Sequence, residues 1–313
     1  MSELPLVIVN PASANGATGD AWPSLASALR THFGPFAVAF TERGGDAAAI
    51  AEREARDRPL VIACGGDGTI NETANGIMRS GASAELGLLP SGTGGDFRRT
   101  LGTPTRAADA ARALREGRTK LLDVGRVSFV REDGAEEARF FLNVASFGMG
   151  GDVIRRVKER RGLPAGASRL LGGRLAFAAA TLQSTLAFEK PTVRVSVDGR
   201  AELSLTVTNF CVANARYFGG GMKVAPNALL DDGLFDLVSI GAMSAATILA
   251  NSYRLYLGTH LGMRQVGHAH ARRVTARAFA NEVVKLEVDG ELAGRLPAEF
   301  EVLPAALRVR CPS

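Results

Sequence analysis

The feature that most constrains the fold is a glycine turn placed between an apolar run and a helical pattern. Leu60–Ala63 is predicted to be a strand, Gly65-Gly66-Asp67-Gly68-Thr69 forms the turn, and a helix is expected from about Ile70 to Met78. The glycines allow the backbone N–H groups to approach a phosphate closely, and the helix adds its positive N-terminal end. This segment therefore predicts a phosphate-binding loop.

Short apolar strands alternate with helices through the first 122 residues. Further strands are predicted at 6–9, 36–40 and 86–89, with further helices at 21–32, 45–57 and 109–116. A second glycine-rich turn occupies residues 91–95. Alternation of this kind is typical of a doubly wound, parallel α/β sheet.

After residue 122 the pattern changes to strands separated by turns. Strands are predicted at 124–130, 139–146, 193–198, 203–213, 234–240, 283–288 and 299–303, with helical insertions near 151–188 and 244–260. The expected fold class is therefore α/β plus β. It has an N-terminal α/β domain (1–122) and a mostly antiparallel, β-sandwich-like domain (123–296), with ligands bound in the cleft between them.

Composition narrows the possible partners. The net charge is +5, with 37 basic and 32 acidic residues, which favours an anionic ligand. The sequence has no zinc-ligand spacing and no aromatic RNA-binding pattern, so nucleic acid is not expected.

The three cysteines are far apart and no secretory pattern precedes the first strand, which favours a reducing, cytoplasmic compartment. No run of about 18 apolar residues is present, so any membrane contact is expected to be peripheral.

This turn differs from a Walker A loop, because the Lys-Ser/Thr pair is missing. The turn also contains an aspartate, Asp67. An acidic residue among phosphate-binding amides suits a magnesium ion held directly or through water. The alternative is an ordinary strand–helix turn in which Asp67 caps the helix.

The run GGDGTINETANG (65–76) resembles the nucleotide motif of the diacylglycerol kinase catalytic-domain family, which includes bacterial lipid kinases and is related to sphingosine and ceramide kinases. The NAD kinases share its short GGDG core. The segment Ser91–Phe97 resembles the second signature of the family, although Gly95 replaces the usual Asn and Arg98 the usual Ala.

The resemblance implies that residues 1–122 bind ATP and Mg²⁺ and that residues 123–296 form the lipid-acceptor domain. It also implies that residues 297–313 could return to the ATP-binding domain. The residues implied for nucleotide binding are Asn10, Thr41, Gly65, Gly66, Asp67, Gly68, Thr69, Asn71, Ser91, Gly92, Thr93 and Asp96. Asp67, Asp96 and Asp123 are expected to form an acidic cluster that organises magnesium. A second, structural metal is implied near residues 229–234, with the Leu229 carbonyl, the Asp232 carboxylate and the Leu234 carbonyl as ligands.

The segment Glu287–Glu291 matches the D-G-E motif of the family. Asp289 and Glu291 are expected to alternate along one strand and to face the cleft, where either could accept the proton of the attacking hydroxyl; Asp67 completes the implied catalytic set. Solvent-facing Asp-Gly turns remain the alternative for both this motif and residues 232–233.

These observations predict a kinase that phosphorylates a hydroxyl of a membrane lipid, such as diacylglycerol or a sphingoid or ceramide lipid. An NAD kinase-like enzyme and a non-catalytic lipid- or nucleotide-binding protein are the alternatives. The basic stretch 155–161 could meet anionic headgroups or form a solvated helix face. A homodimer is compatible with the sequence, and the histidines show no metal-ligand spacing.

Overall fold

The computed structural model describes residues 4–92, 94–150, 189–280 and 282–312. Thr93, the predicted helical insertion at 151–188 and the basic stretch within it lie outside the described residues. Among the helices that are described, none is long and apolar enough to cross a membrane.

The first part of the chain alternates strands and helices. They are β1 (Leu6–Val9), α1 (Ala17–His32), β2 (Ala37–Phe40), α2 (Asp46–Glu54), β3 (Leu60–Gly65), α3 (Asp67–Ser80), β4 (Glu85–Pro90), α4 (Asp96–Leu101) and α5 (Ala107–Glu116).

The second part is mainly β. It contains β5 (Arg118–Val130), β6 (Glu136–Phe141), β7 (Val144–Gly148), β8 (Thr192–Val197), β9 (Leu203–Ala213), β10 (Phe235–Gly241), α6 (Ala245–Asn251), α7 (Tyr253–Leu257), β11 (Val266–Ala271), β12 (Arg273–Ala278), β13 (Lys285–Val288) and β14 (Glu291–Cys311).

Strands β1 to β4 form a parallel sheet in the order β2-β1-β3-β4. Alternate residues of the fully buried β1 enter different cores: Leu6 and Ile8 pack with α2 and α3, whereas Val7 and Val9 pack with α1 and α5. Helices therefore cover both faces, as the run of apolar residues in a buried parallel strand requires. The predicted doubly wound α/β layer is confirmed.

The second part is built from antiparallel pairs, which run from the edge strand β11 through β10, β9, β7 and β13 to β14. Its own core includes Phe141, Phe147, Phe235 and Phe300, all fully buried. The predicted α/β plus β fold class is therefore confirmed.

Two long strands connect the two parts. β5 crosses the predicted boundary at residue 122 without interruption and pairs with β14 along most of its length. The first half of β14 pairs with β12 and β13, while Val309 near its end pairs with Leu86 of β4. Residues 297–301 therefore lie with the second part and residues 307–311 pack into the core of the first.

Helix α3 is held against its neighbours by Asn75 and Gly76, the last two residues of the run 65–76. The side-chain amide of Asn75 donates to the Phe140 carbonyl (2.9 Å) and its Oδ1 accepts from the Phe140 amide (3.1 Å). A Cβ added at Gly76 would lie 2.6 Å from Ala51 Cβ and 2.8 Å from Glu52 N of α2. Asn75 thus attaches α3 to β6, and Gly76 allows α2 and α3 to pack closely.

Gly76→Ala is expected to destabilise the protein by about 1–3 kcal/mol, because the added methyl must push α2 away from α3. The measurement is urea unfolding followed by circular dichroism. Gly262→Ala is the control, since no atom of the described residues lies within 4 Å of a Cβ added there. Equal unfolding midpoints for the two variants would contradict the close helix contact.

Candidate active site

The two glycine-rich turns lie side by side at the carboxyl ends of β3 and β4. The Ser91 amide donates to the Gly65 carbonyl (2.9 Å), and a Cβ added at Gly92 would lie 2.9 Å from Gly66 Cα. A side chain at position 92 would therefore separate the turns. Together they present backbone amides at the start of α3, which suits an anion.

Polar side chains that follow β1 and that begin α1 brace these turns. Asn10 donates to the Thr69 hydroxyl (3.1 Å), and Thr18 bonds to the Ser91 hydroxyl (2.7 Å) and carbonyl (3.1 Å). Thr41 is buried at the end of β2, where its amide donates to the Val9 carbonyl (2.9 Å). Thr18 was not predicted as a site residue, because an isolated threonine inside a helix gives no signal in the sequence.

Asp67 connects the first turn to the second. Its carboxylate accepts from the Gly95 amide (2.7 Å) and the Phe97 amide (3.3 Å), so it caps α4 while belonging to α3. The neighbouring Asp96 is buried and accepts from the Gly220 amide (2.8 Å). Burial, and next the negative charge of Asp67, raise the pKa of Asp96 to about 6. Two carboxylates that repel each other beside an anion site provide the hard oxygen ligands that Mg²⁺ prefers.

Two arginines line a cavity beside the two glycine-rich turns. Arg98 and Arg99 lie with Gly66, Gly92 and Gly94 around a cavity of about 170 Å³. Arg99 also bonds to the Gly94 carbonyl and to Asp96 (3.0 Å). A Cβ added at Gly95 would lie 2.9 Å from Arg98 Nε, so the guanidinium occupies the space beside Gly95 that a larger residue would need. The glycine and the arginine therefore fit each other.

Asp123 is bonded to segments other than those that hold Asp67 and Asp96, and its grouping with them around magnesium stays a prediction. Its two oxygens accept from the Gly233 amide (2.6 Å) and the Ala305 amide (2.8 Å), and its backbone amide donates to the Leu230 carbonyl (2.7 Å). It shares a cavity with Asp232. The contacts of Asp123 thus group it with the turn expected to hold a structural metal, because β5 passes directly beneath that turn.

The three predicted structural ligands belong to the turn at residues 229–234. Asp232 accepts from the Leu234 amide (3.0 Å), and burial, aided by the charges of Asp236 and Asp123, raises its pKa. Leu229 and Leu234 flank this carboxylate in the chain. An all-oxygen site for Mg²⁺ or Ca²⁺ at this turn fits these residues and stays a prediction.

The expectation that Asp289 and Glu291 alternate along one strand is wrong. Asp289 lies in the turn between β13 and β14, with a φ of +46°. Its carboxylate accepts from the amides of Leu142 (2.8 Å), Asn143 (2.9 Å) and Val144 (2.9 Å) and from the Asn71 side chain (2.7 Å). Asn71, predicted to bind nucleotide, therefore joins α3 to the second part of the protein.

Burial raises the pKa of Asp289 to about 6, and the four donors oppose this shift without cancelling it. A carboxylate whose oxygens are already shared among four donors is poorly placed to accept another proton. The contacts of Asp289 are those of a group that positions its neighbours.

Glu291 begins β14 and points toward the first glycine turn. Its side chain is 56% exposed, and its Oε1 lies 3.9 Å from the position of a Cβ on Gly68. Arg139 of β6, which the sequence patterns did not single out, approaches Glu291 with Nη1 at 3.9 Å from Oε2. Glu291 thus places an accessible carboxylate across the cleft from the predicted phosphate loop.

Glu287 is a further acidic residue of the same motif, and it lies inside the second part of the protein. It is buried on β13 and accepts from the Ser146 hydroxyl (3.1 Å). Burial, and to a lesser extent the charge of Asp289, raise the pKa of Glu287 from its ordinary 4.5 to about 7. Its protonation therefore affects stability near neutral pH.

Comparison with known proteins identifies both parts of the chain. Residues 5–127 match the family model described as the diacylglycerol kinase catalytic domain. Residues 151–311 match the model described as the YegS C-terminal NAD kinase beta sandwich-like domain. The two matches follow the division seen in the structure.

Relatives of similar length are found among curated and solved proteins. The chain is 30% identical over 277 residues to a diacylglycerol kinase of Bacillus subtilis (strain 168), with 87% of this chain and 84% of the relative covered. It is 29% identical over 310 residues to a diacylglycerol kinase of Mycobacterium tuberculosis, with 97% and 94% covered. A crystal structure of a diacylglycerol kinase from Bacillus anthracis str. Sterne superposes with a TM-score of 0.72 at 23% identity, covering 99% of this chain and 97% of that chain. This last likeness shows the shared fold.

The raised pKa of Glu287 predicts a pH-dependent stability. The folded protein keeps a proton on Glu287 between its ordinary pKa of 4.5 and about 7, where the unfolded chain has lost it. The resulting stability is fully present below pH 4.5 and is lost as the pH rises through 7. We expect a loss of up to about 3 kcal/mol between pH 5 and 8 in the wild type and a smaller one in Glu287→Gln. Urea unfolding across this range is the measurement, and parallel curves for the two proteins would contradict the assignment.

Proposed function

The chain belongs to the diacylglycerol kinase family, and on this premise we propose that it is an ATP- and Mg²⁺-dependent lipid kinase that acts on diacylglycerol. Diacylglycerol is proposed as the acceptor because the curated relatives described above are named diacylglycerol kinase. In the proposed reaction the lipid hydroxyl oxygen forms a bond to the γ-phosphorus of ATP. The bond from that phosphorus to the β–γ bridging oxygen breaks, and ADP leaves.

The observation that carries this proposal is the position of Glu291 opposite the first glycine turn. Glu291 Oε1 lies 3.9 Å from the position of a Cβ on Gly68, so we place the attacking hydroxyl between this carboxylate and a phosphoryl group held against Gly65–Thr69. An exposed carboxylate can accept the proton of that hydroxyl, which phosphoryl transfer requires of the enzyme in addition to positioning and charge stabilisation. We therefore assign the role of general base to Glu291 and a positioning role to Asp289.

The cleft also supplies the charge that a nucleoside triphosphate requires. Arg98 and Arg99 lie beside the two glycine turns, so their guanidinium groups are placed to neutralise phosphate oxygens. When bound, Mg²⁺ would neutralise the β- and γ-phosphates and act as an electrophile toward them. Asp67 and Asp96 are the residues proposed to hold it, directly or through water, and Asp67 additionally keeps the second turn in place.

Peripheral contact with a membrane forms part of this proposal. Helices α6 and α7 of the second part carry exposed apolar side chains, namely Leu249, Tyr253, Tyr256 and Leu257. Tyrosine and leucine side chains suit the boundary between headgroups and acyl chains, and the net charge of +5 favours an anionic surface. An acceptor with two acyl chains is met at such a surface. A cytoplasmic location remains part of the proposal, and a homodimer stays a prediction.

The function is tested by transfer of label from γ-labelled ATP in the presence of Mg²⁺. Mixed micelles contain diacylglycerol, ceramide, sphingosine or phosphatidylglycerol, and NAD is offered separately. We expect label in diacylglycerol and its loss when EDTA removes Mg²⁺. Label in another lipid would change the acceptor but keep the class, whereas label in NAD alone would replace the lipid kinase by an NAD kinase-like enzyme. ATP binding without transfer to any acceptor would favour a non-catalytic protein.

Glu291→Gln separates the proposed base from its neighbour. The amide cannot accept the proton, so we expect kcat to fall by at least ~100-fold with little change in ATP affinity or stability. Asp289→Asn is expected to lower the urea unfolding midpoint, which Glu291→Gln should not change. The reason is that an NH₂ donor replaces one carboxylate oxygen that accepts two hydrogen bonds. Steady-state kinetics and urea unfolding of both variants are the measurements.

Glu136→Gln is the matched control, since this glutamate is exposed on β6, a strand that pairs with β5. It should retain wild-type kinetics. If Glu291→Gln keeps wild-type kcat while Asp289→Asn loses activity without loss of stability, the two roles are reversed.

A further inference from the structure

Two histidines and a buried aspartate meet on one face of the sheet edge, away from the glycine turns. His268 and His270 are two residues apart on β11, so both project from the same face. Asp236 of β10 stands directly opposite His270 in the antiparallel pair. Residues opposite each other in such a pair have neighbouring side chains, which brings the three groups together.

The geometry of the three groups is that of ligands around a small cation. His268 Nε2 lies 2.8 Å from Asp236 Oδ1, and His270 Nε2 lies 3.6 Å from the same oxygen. All three ligand atoms lie within 4.8 Å of one another. With metal bonds of about 2.0–2.1 Å, tetrahedral ligands are about 3.3 Å apart, so small side-chain rotations would seat an ion.

Burial and exposure divide the roles within this group. The Asp236 side chain is 3% exposed, whereas those of His268 and His270 are 26% and 51% exposed. The carboxylate is therefore fixed, while solvent can reach the outer side of the imidazoles and supply a fourth ligand. If His268 and Asp236 formed only a hydrogen-bonded pair, the His270 imidazole would not need to lie near the same Asp236 oxygen.

We propose that Asp236, His268 and His270 form a binding site for a borderline divalent cation, with Zn²⁺ as its ligand. Imidazole nitrogen with carboxylate oxygen suits Zn²⁺, whereas Mg²⁺ and Ca²⁺ select sites built from oxygen alone. Bound Zn²⁺ links the edge strand β11 to β10. Its ligand Asp236 lies two residues after Leu234, which belongs to the turn predicted to hold a structural metal. The site is independent of the proposed phosphoryl transfer, in which neither histidine takes part.

Calorimetric titration of the 313-residue chain with ZnCl₂ in excess MgCl₂, after EDTA treatment and removal of the EDTA, tests this site. The magnesium fills any all-oxygen site, so the titration reports nitrogen-containing ones. We expect one saturable equivalent of Zn²⁺ and an increase in melting temperature on binding. His268→Gln and His270→Gln should each weaken binding by at least ~10-fold, since even outer-shell partners of a metal have effects of that size.

His32→Gln is the matched control, because His32 lies at the end of α1 in the other part of the protein. His270→Gln alters a half-exposed side chain, so the variant is expected to fold, and circular dichroism checks this. Co²⁺ provides a second probe, whose visible absorption should appear in the wild type and be lost in His270→Gln.

Three outcomes would overturn the proposal. They are the absence of saturable Zn²⁺ binding, binding that both histidine variants retain, and displacement of Zn²⁺ by Mg²⁺. The last would place the ion in the oxygen-rich turn at residues 229–234.

Discussion

The four hydrogen bonds that Asp289 accepts join segments that are far apart in the sequence. Its oxygens bind the amides of residues 142–144 and the side chain of Asn71, so α3 of the nucleotide part is tied to the β6–β7 turn and to the β13–β14 turn. Glu291 follows two residues later and faces the first glycine turn as a consequence. The position of the proposed base relative to the proposed phosphate site therefore depends on this one carboxylate.

A second set of contacts organises the phosphate side of the cleft. Asp67 caps α4 from the adjacent helix, and Gly92 allows the second turn to approach the first. These contacts align the backbone amides before any ligand binds, which reduces the reorganisation that binding would otherwise require. Asn10, which follows β1, and Thr18, in α1, also brace these turns.

Much of this arrangement could be predicted from local patterns. The fully apolar runs of β1 and β3 and the glycine turns identified the parallel layer, since buried parallel strands and phosphate loops have strong sequence signals. Strands β11 and β12 were missed, because their alternation of histidine, arginine and alanine resembles a polar surface segment. The hydrogen-bond partners of Asp123 could not be predicted, since Gly233 and Ala305 are about 110 and 180 residues away in the sequence.

The sequence by itself determined the fold class, the family and the segments that carry chemistry, because each depends on residues that are neighbours in the chain. The tertiary structure decided which of those side chains meet. It separated Asp289 from Glu291, since a left-handed turn residue cannot continue a strand alternation. It also brought His268 and His270 to Asp236, because strand pairing sets their distance and chain spacing does not.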